Sequence, residues 1–264
     1  MLGRRFALSG LPRAAVSRAL LAEWQGGSAA EWRAAWGVPL VEAYASIGST
    51  NDRALELAAG AGNAFAVVVA DEQTEGRGRR GATWHSPAGS GLWMSTVLPG
   101  SRPAPHVTLL VGLAVAEAIE AATEGVRVGL KWPNDLFVGR RKLGGVLCES
   151  AGAAVVAGIG INLRPVPVID RATSLETESG NALPASILAG FIVAALRRRP
   201  LDGATLDAGV LADLGARDTL LGAEVDTDEH GRGTARGIDA FGALLLERPD
   251  GSRVRVVAGS IRPL

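Results

Sequence analysis

Between His106 and Ala122 the chain is almost wholly apolar, with Thr108, Glu117 and Glu120 as the few polar interruptions after the opening histidine. A helix without a polar face must be wrapped by other elements. Its apolar stretch, Val107–Ile119, is too short to span a bilayer and ends in charge, which predicts a buried core helix and no membrane partner. The flanking runs predict what wraps it. Phe65–Ala70, Gly91–Leu98, Val126–Lys131, Leu136–Val138, Gly144–Cys148 and Ala154–Ile161 read as strands, while Asn51–Ala59, Ser186–Leu196 and Ala204–Leu214 read as helices. Hairpin-length loops join most strands, and the helices lie grouped beside them. This predicts an α+β fold, a mixed sheet packed with helices, rather than a doubly wound sheet.

The two ends differ from this middle. The first 45 residues read as two short helices, with Ser28-Ala-Ala-Glu31 as a capping box and Pro39 opening a new segment. That is too little chain for a winged helix-turn-helix, and Lys+Arg and Asp+Glu both total 27, so no net charge favours nucleic acid. Near the C-terminus, Glu224–Thr227, Gly233–Ile238, Ala243–Leu246 and Arg253–Val257 alternate between Gly- and Asp-rich turns, the spacing of a small β-barrel. The expected organisation is a main domain over 1–214, including a helical extension over 1–40, and a C-terminal domain over 215–264. The single cysteine, Cys148, allows no intrachain disulfide and fits a reducing cytoplasm.

Gly76-Arg-Gly-Arg-Arg-Gly81 carries the most local chemistry. Glycines let backbone N–H groups approach an anion, and Arg77, Arg79 and Arg80 add planar, bidentate donors. In an otherwise neutral chain this points to a carboxylate or polyanion, against the alternative of a solvated basic turn. The loop also spells G-x-G-x-x-G, but Pro87, Gly89 and Gly91 follow where a dinucleotide site needs a helix. It misses a P-loop because Ala82 stands where the phosphate-binding lysine belongs.

Ser49-Thr-Asn-Asp52 reads locally as a capping box, Ser49 with Asp52, although its hydroxyls and amide would also suit a polar ligand ring. In Lys131-Trp-Pro-Asn-Asp135 the proline stiffens a turn with Asn134 and Asp135 at its tip, and Lys142 follows at the mouth of an apolar strand. A ligand site and a surface turn with a snorkelling lysine weigh equally there. Gly158-Ile-Gly-Ile-Asn162 is a strand whose glycines mark either a ligand or tight packing. His85, His106 and His230 are scattered, so no metal cluster is expected, and no G-x-S-x-G frame suggests a hydrolase.

Taken in order, Ser46–Asn51, Gln73–Gly81, Trp84–Pro87, Lys131–Asp135, Lys142–Gly145, Gly158–Asn162 and Ala172–Leu175 resemble the biotin–protein ligases over about Val41 to Leu264. Ala82 departs from a position where relatives often carry a basic residue. The resemblance implies a catalytic α+β domain followed by a small SH3-like domain, in the short form without an N-terminal DNA-binding domain. It implies that biotin and ATP, accompanied by Mg²⁺, give biotinyl-5′-AMP, whose biotin then passes to a lysine of a carrier domain of acetyl-CoA, acyl-CoA or pyruvate carboxylase. By the same resemblance Lys142, Arg77, Arg79 and Asp135 are catalytic. Ser49, Thr50, Asn51, Gln73, Gly76 and Gly145, with Arg77, Arg79 and Lys142, hold biotin. Arg79, Arg80, Trp84, Asn134, Lys142 and Asn162 hold ATP or the adenylate. A lipoate or octanoate ligase and a biotin-responsive repressor are the rival readings, the latter disfavoured by the missing helix-turn-helix. A homodimer is left open.

Overall fold

The structure, a computed structural model, describes residues 19–60, 63–100, 104–151, 154–165 and 171–264. The chain runs β1 (Glu23–Trp24), β2 (Gly27–Ser28), α1 (Ala29–Trp36), β3 (Val41–Ile47), α2 (Thr50–Ala58), β4 (Val67–Gln73), β5 (Gly91–Leu98), α3 (Pro105–Ala122), β6 (Gly129–Lys131), β7 (Asp135–Val138), β8 (Arg141–Ala151) and β9 (Ala154–Asn162). It continues through α4 (Leu175–Ser179), α5 (Ala185–Arg197), α6 (Ala208–Gly215), β10 (Glu224–Thr227), β11 (Gly231–Ile238), β12 (Leu244–Glu247), β13 (Arg253–Val256) and β14 (Ile261–Pro263).

Strands β3-β4-β5-β9-β8-β7-β6 form one mixed sheet in that order, with β3 and β4 parallel and every other pair antiparallel. Alternation along β4 shows why it needs cover on both faces. Val67 and Val69 join the core built on α3 and α5, whereas Val68 and Ala70 pack with Ala54 of α2. The α+β expectation therefore holds. Helix α3 matches the predicted His106–Ala122 helix to within one residue: its 18 residues have the length and composition to cross a membrane, yet 67% of that stretch is buried inside the fold. Its apolar circumference is satisfied by α5, α6 and β8 rather than by lipid.

Other expectations are corrected. Of the two helices read in the first 45 residues, the described part has only α1, preceded by the β1–β2 hairpin, and residues 1–18 lie outside the described residues. The Ser28–Glu31 capping box is present. Helix α6 starts at Ala208 rather than Ala204, because the Asp207 carboxylate accepts the Val210 N–H at 2.9 Å and fixes the first turn. Asp207→Ala is expected to lower stability by about 1 kcal/mol, measured by urea denaturation. An unchanged midpoint would show that the cap contributes nothing.

The C-terminal strands form a five-stranded antiparallel sheet in the order β13-β12-β11-β10-β14. Strand β14 escaped the sequence reading, as did β3 of the main sheet. Val225, Ala235, Leu244, Leu246 and Val256 belong to the same hydrophobic cluster as α3. Before reaching this sheet, the chain adds a rung to β6, where Leu130 N–H donates to Arg217 O at 2.7 Å and Thr219 N–H to Leu130 O at 3.0 Å.

Candidate active site

One face of β9 carries no side chain at two successive positions, Gly158 and Gly160. Gly158 and Gly160 point away from α3, and Gly160 pairs in register with Gly145 of β8. The missing methyl groups matter. A Cβ on Gly158 would lie 2.8 Å from Asn51 Cγ, and one on Gly160 would lie 2.6 Å from Trp84 Nε1 and 2.7 Å from its Cε2. The glycines therefore seat Asn51 and the Trp84 indole against the sheet, deciding for close packing at the floor of a cavity of about 570 Å³. Trp84 also meets Trp93 edge to face at 6.4 Å, and its Nε1 is buried without a hydrogen-bond partner.

One end of this cavity is a buried polar cluster. Ser49, Thr50, Asn51 and Ser95 are each 5% exposed or less. Gln73 Oε1 accepts the Thr50 N–H at 2.9 Å and the Thr50 hydroxyl at 3.0 Å, while its Nε2 donates to Ser86 Oγ at 3.0 Å. Ser95 Oγ donates to Asn51 Oδ1 at 2.6 Å, and Asn51 Nδ2 donates to Glu149 Oε2 at 2.7 Å. Ser49 starts α2 but makes no side-chain cap, so the Ser49–Asp52 box is not formed. Asp52 instead accepts both Arg77 amino groups, at 2.8 and 2.5 Å. A hydroxyl spared from capping is left facing the cavity.

The opposite side is cationic. Arg79, Arg80, Lys131 and Lys142 line the cavity there, with Asp135 as the lining carboxylate among the described residues, while Arg77 lines it beside the polar cluster, sharing Glu149 Oε2 with Asn51. Lys142 Nζ lies 2.7 Å from Asp135 Oδ1 and 5.3 Å from the centre of the Trp84 ring. The Lys142 backbone is pinned between Arg171 O and Thr173 N, at 2.9 and 2.8 Å. Burial pushes Lys131 and Arg79 below their ordinary ranges against the opposing pull of Asp135, and their neighbours Lys142 and Arg80 add smaller pushes downward. Hydrogen bonds donated by Arg77 to the Asp52 carboxylate push the Arg77 guanidinium above its ordinary range. Desolvated cations crowded at one end favour an anionic ligand.

The glycine–arginine loop is a small hairpin, closed by Trp84 N–H to Gly76 O at 2.9 Å and Gly78 N–H to Ala82 O at 2.6 Å. A Cβ on Gly76 would meet Trp84 O at 2.5 Å, so this glycine serves loop closure and does not itself line the cavity. Asn162 also lies outside the lining, buried with its Nδ2 donating to Thr173 O at 3.0 Å. Asn134 lines it, held by Nδ2 donating to Val146 O at 3.1 Å. Sequence reasoning missed Asp52, Ser95 and Glu149, whose partners lie far along the chain. It also missed Gly259, Ser260 and Ile261, which close the cavity from the C-terminal sheet.

This geometry has known counterparts. Residues 44–165 match the biotin/lipoate A/B protein ligase family, and residues 221–262 match the biotin protein ligase C-terminal domain. The biotin–[acetyl-CoA-carboxylase] ligase of Paracoccus denitrificans is 36% identical over 230 residues, spanning 78% of this chain and 93% of that protein. The chain belongs to the biotin/lipoate A/B protein ligase family. A bifunctional ligase/repressor BirA of Bacillus spizizenii is 36% identical over 231 residues, covering 78% of this chain and 68% of its own length. Among solved structures, a biotin protein ligase from Aquifex aeolicus in complex with biotin and ATP superposes with a TM-score of 0.73 at 26% identity, covering 85% of this chain and 99% of that one.

Proposed function

We propose that this chain activates biotin with ATP and then biotinylates a lysine of a carboxyl carrier domain of acetyl-CoA, acyl-CoA or pyruvate carboxylase. The observation that carries this reading is the polarity of the cavity. A buried hydroxyl and amide cluster at one end suits a ureido ring, and clustered cations at the other suit a carboxylate meeting a triphosphate. A lipoyl or octanoyl tail would leave the Thr50–Gln73–Ser86 cluster without a polar ligand.

In the first step a biotin carboxylate oxygen attacks the α-phosphorus, and the bond to pyrophosphate breaks. In the second, the acceptor lysine nitrogen attacks the acyl carbon, AMP leaves and the amine proton is released. Both steps build negative charge on oxygen, which Lys142 and Arg79 are positioned to stabilise. Asp135 orients Lys142, and Arg77 is oriented by Asp52 and Glu149. Mg²⁺ would arrive on the ATP phosphates. The lining carboxylate Asp135 is committed to Lys142, and no cluster of three metal-ligating side chains occurs among the described residues. Burial pushes the half-buried Cys148 thiol up to about 11, which keeps it protonated near neutral pH, in keeping with action in a reducing cytoplasm.

Exchange of labelled pyrophosphate into ATP tests the reading, with biotin, lipoate and octanoate run in parallel. Exchange is expected with biotin alone. Exchange with lipoate alone would transfer the chain to the lipoate branch, and none with any acid would overturn the adenylation chemistry.

A further inference from the structure

Arg80 departs from the other loop arginines. Its backbone sits in the left-handed region at φ 57°, and its side chain is 60% exposed. The guanidinium reaches across to the C-terminal sheet, donating to the Asp228 carboxylate and, at 3.3 Å, to Ser260 Oγ. Asp228 stands in the turn between β10 and β11 and also accepts the Ser260 N–H at 3.3 Å, with Arg262 3.7 Å away. Next to it, Arg79 Nη1 donates to Gly259 O at 3.3 Å. Two successive arginines at the tip of the loop are thus held by one patch of the C-terminal sheet. The pairing with Arg80 holds the Asp228 carboxyl below the usual carboxylate range.

We propose that Asp228 is a positioning residue that latches the glycine–arginine loop closed over the cavity, and that Arg80 acts through this latch rather than by touching the phosphates. The claim rests on the adenylation reading above for its kinetic consequence, but not for its structural one. A loop tied at its tip keeps Arg79 at the cavity and shields an acyl-adenylate from water.

The test is a cycle of Arg80→Ala, Asp228→Ala and the double variant in the full chain. The readouts are release of labelled biotinyl-adenylate and limited trypsin cleavage after Arg77 without ligand. Each single change is expected to speed both by about fivefold, near the upper end for an exposed ion pair, and the double variant to be no worse than either single one. Additive effects, or an Asp228→Ala indistinguishable from the unaltered chain, would overturn the latch, because Arg80 would then work independently of Asp228. So would new cleavage at Arg232 or Arg236, which would mean that the β10–β11 hairpin had simply come apart. If the unaltered protein forms no adenylate, the adenylation reading fails, and the cleavage arm alone still decides the latch.

Discussion

Lys142→Ala is expected to leave a folded protein that has lost about 10²- to 10³-fold in both adenylation and transfer. Lys142 Nζ is held between Asp135 Oδ1 at 2.7 Å and the face of Trp84, at the cationic end of the cavity. A point charge fixed there opposes the negative charge that builds on the carboxylate, phosphate and acyl oxygens, and water replacing it must reorient during each step. The fold should barely notice. The side chain is 34% exposed and its one ion pair is partly solvated, so stability should fall by no more than about 1 kcal/mol. Thermal unfolding together with single-turnover rates for each half-reaction separates the two effects. Near-normal turnover would remove Lys142 from the chemistry. Lys142→Arg should restore little, since a planar fork cannot occupy the place of a compact ammonium.

Gly160→Ala should have the second-largest effect. Its new Cβ would come within 2.6 to 2.8 Å of three Trp84 indole atoms, and the ring would have to leave its seat on β9. Overpacking of this kind costs about 1–3 kcal/mol. Moving Trp84 also withdraws the wall on which Lys142 rests, so the KM for biotin should rise together with the loss of stability. Gly112→Ala on α3 is the matching control. There the added Cβ meets Leu130 at an ordinary 3.6 Å, and replacing a helical glycine should stabilise by about 0.5–1 kcal/mol. If Gly160→Ala matched the control in denaturant and in biotin dependence, Trp84 would not be seated as described.

Six of the seven strands of the main sheet were legible because each carries its own signal, whereas β3 at Val41–Ile47 was not read as a strand. Gly91–Leu98 matches β5 at both ends, and α3 announces itself by lacking a polar face. The glycine–arginine loop stood out in the sequence for the same local reason, and its three arginines line the cavity. What stayed hidden depends on partners distant in the chain. The Ser49–Asp52 cap looked sound from four adjacent residues, yet Arg77, 25 positions from Asp52, draws that carboxylate away. Glu149 reads as one acid at the end of an apolar run until folding sets it against Asn51 and Arg77. The glycines at 158 and 160 show that something approaches closely, but only the three-dimensional arrangement shows that it is Asn51 and Trp84.

The Trp132 indole donates to Gly242 O at 2.9 Å, and a side chain on Gly242 would collide with the His106 backbone at 2.7 Å. Together with the shared apolar cluster, this means that the C-terminal sheet has no melting behaviour of its own. Heating should take the whole chain through one cooperative transition, with a calorimetric enthalpy equal to the van't Hoff value. A chimera carrying a foreign C-terminal sheet would then inherit the weakness of its seam rather than the stability of either parent.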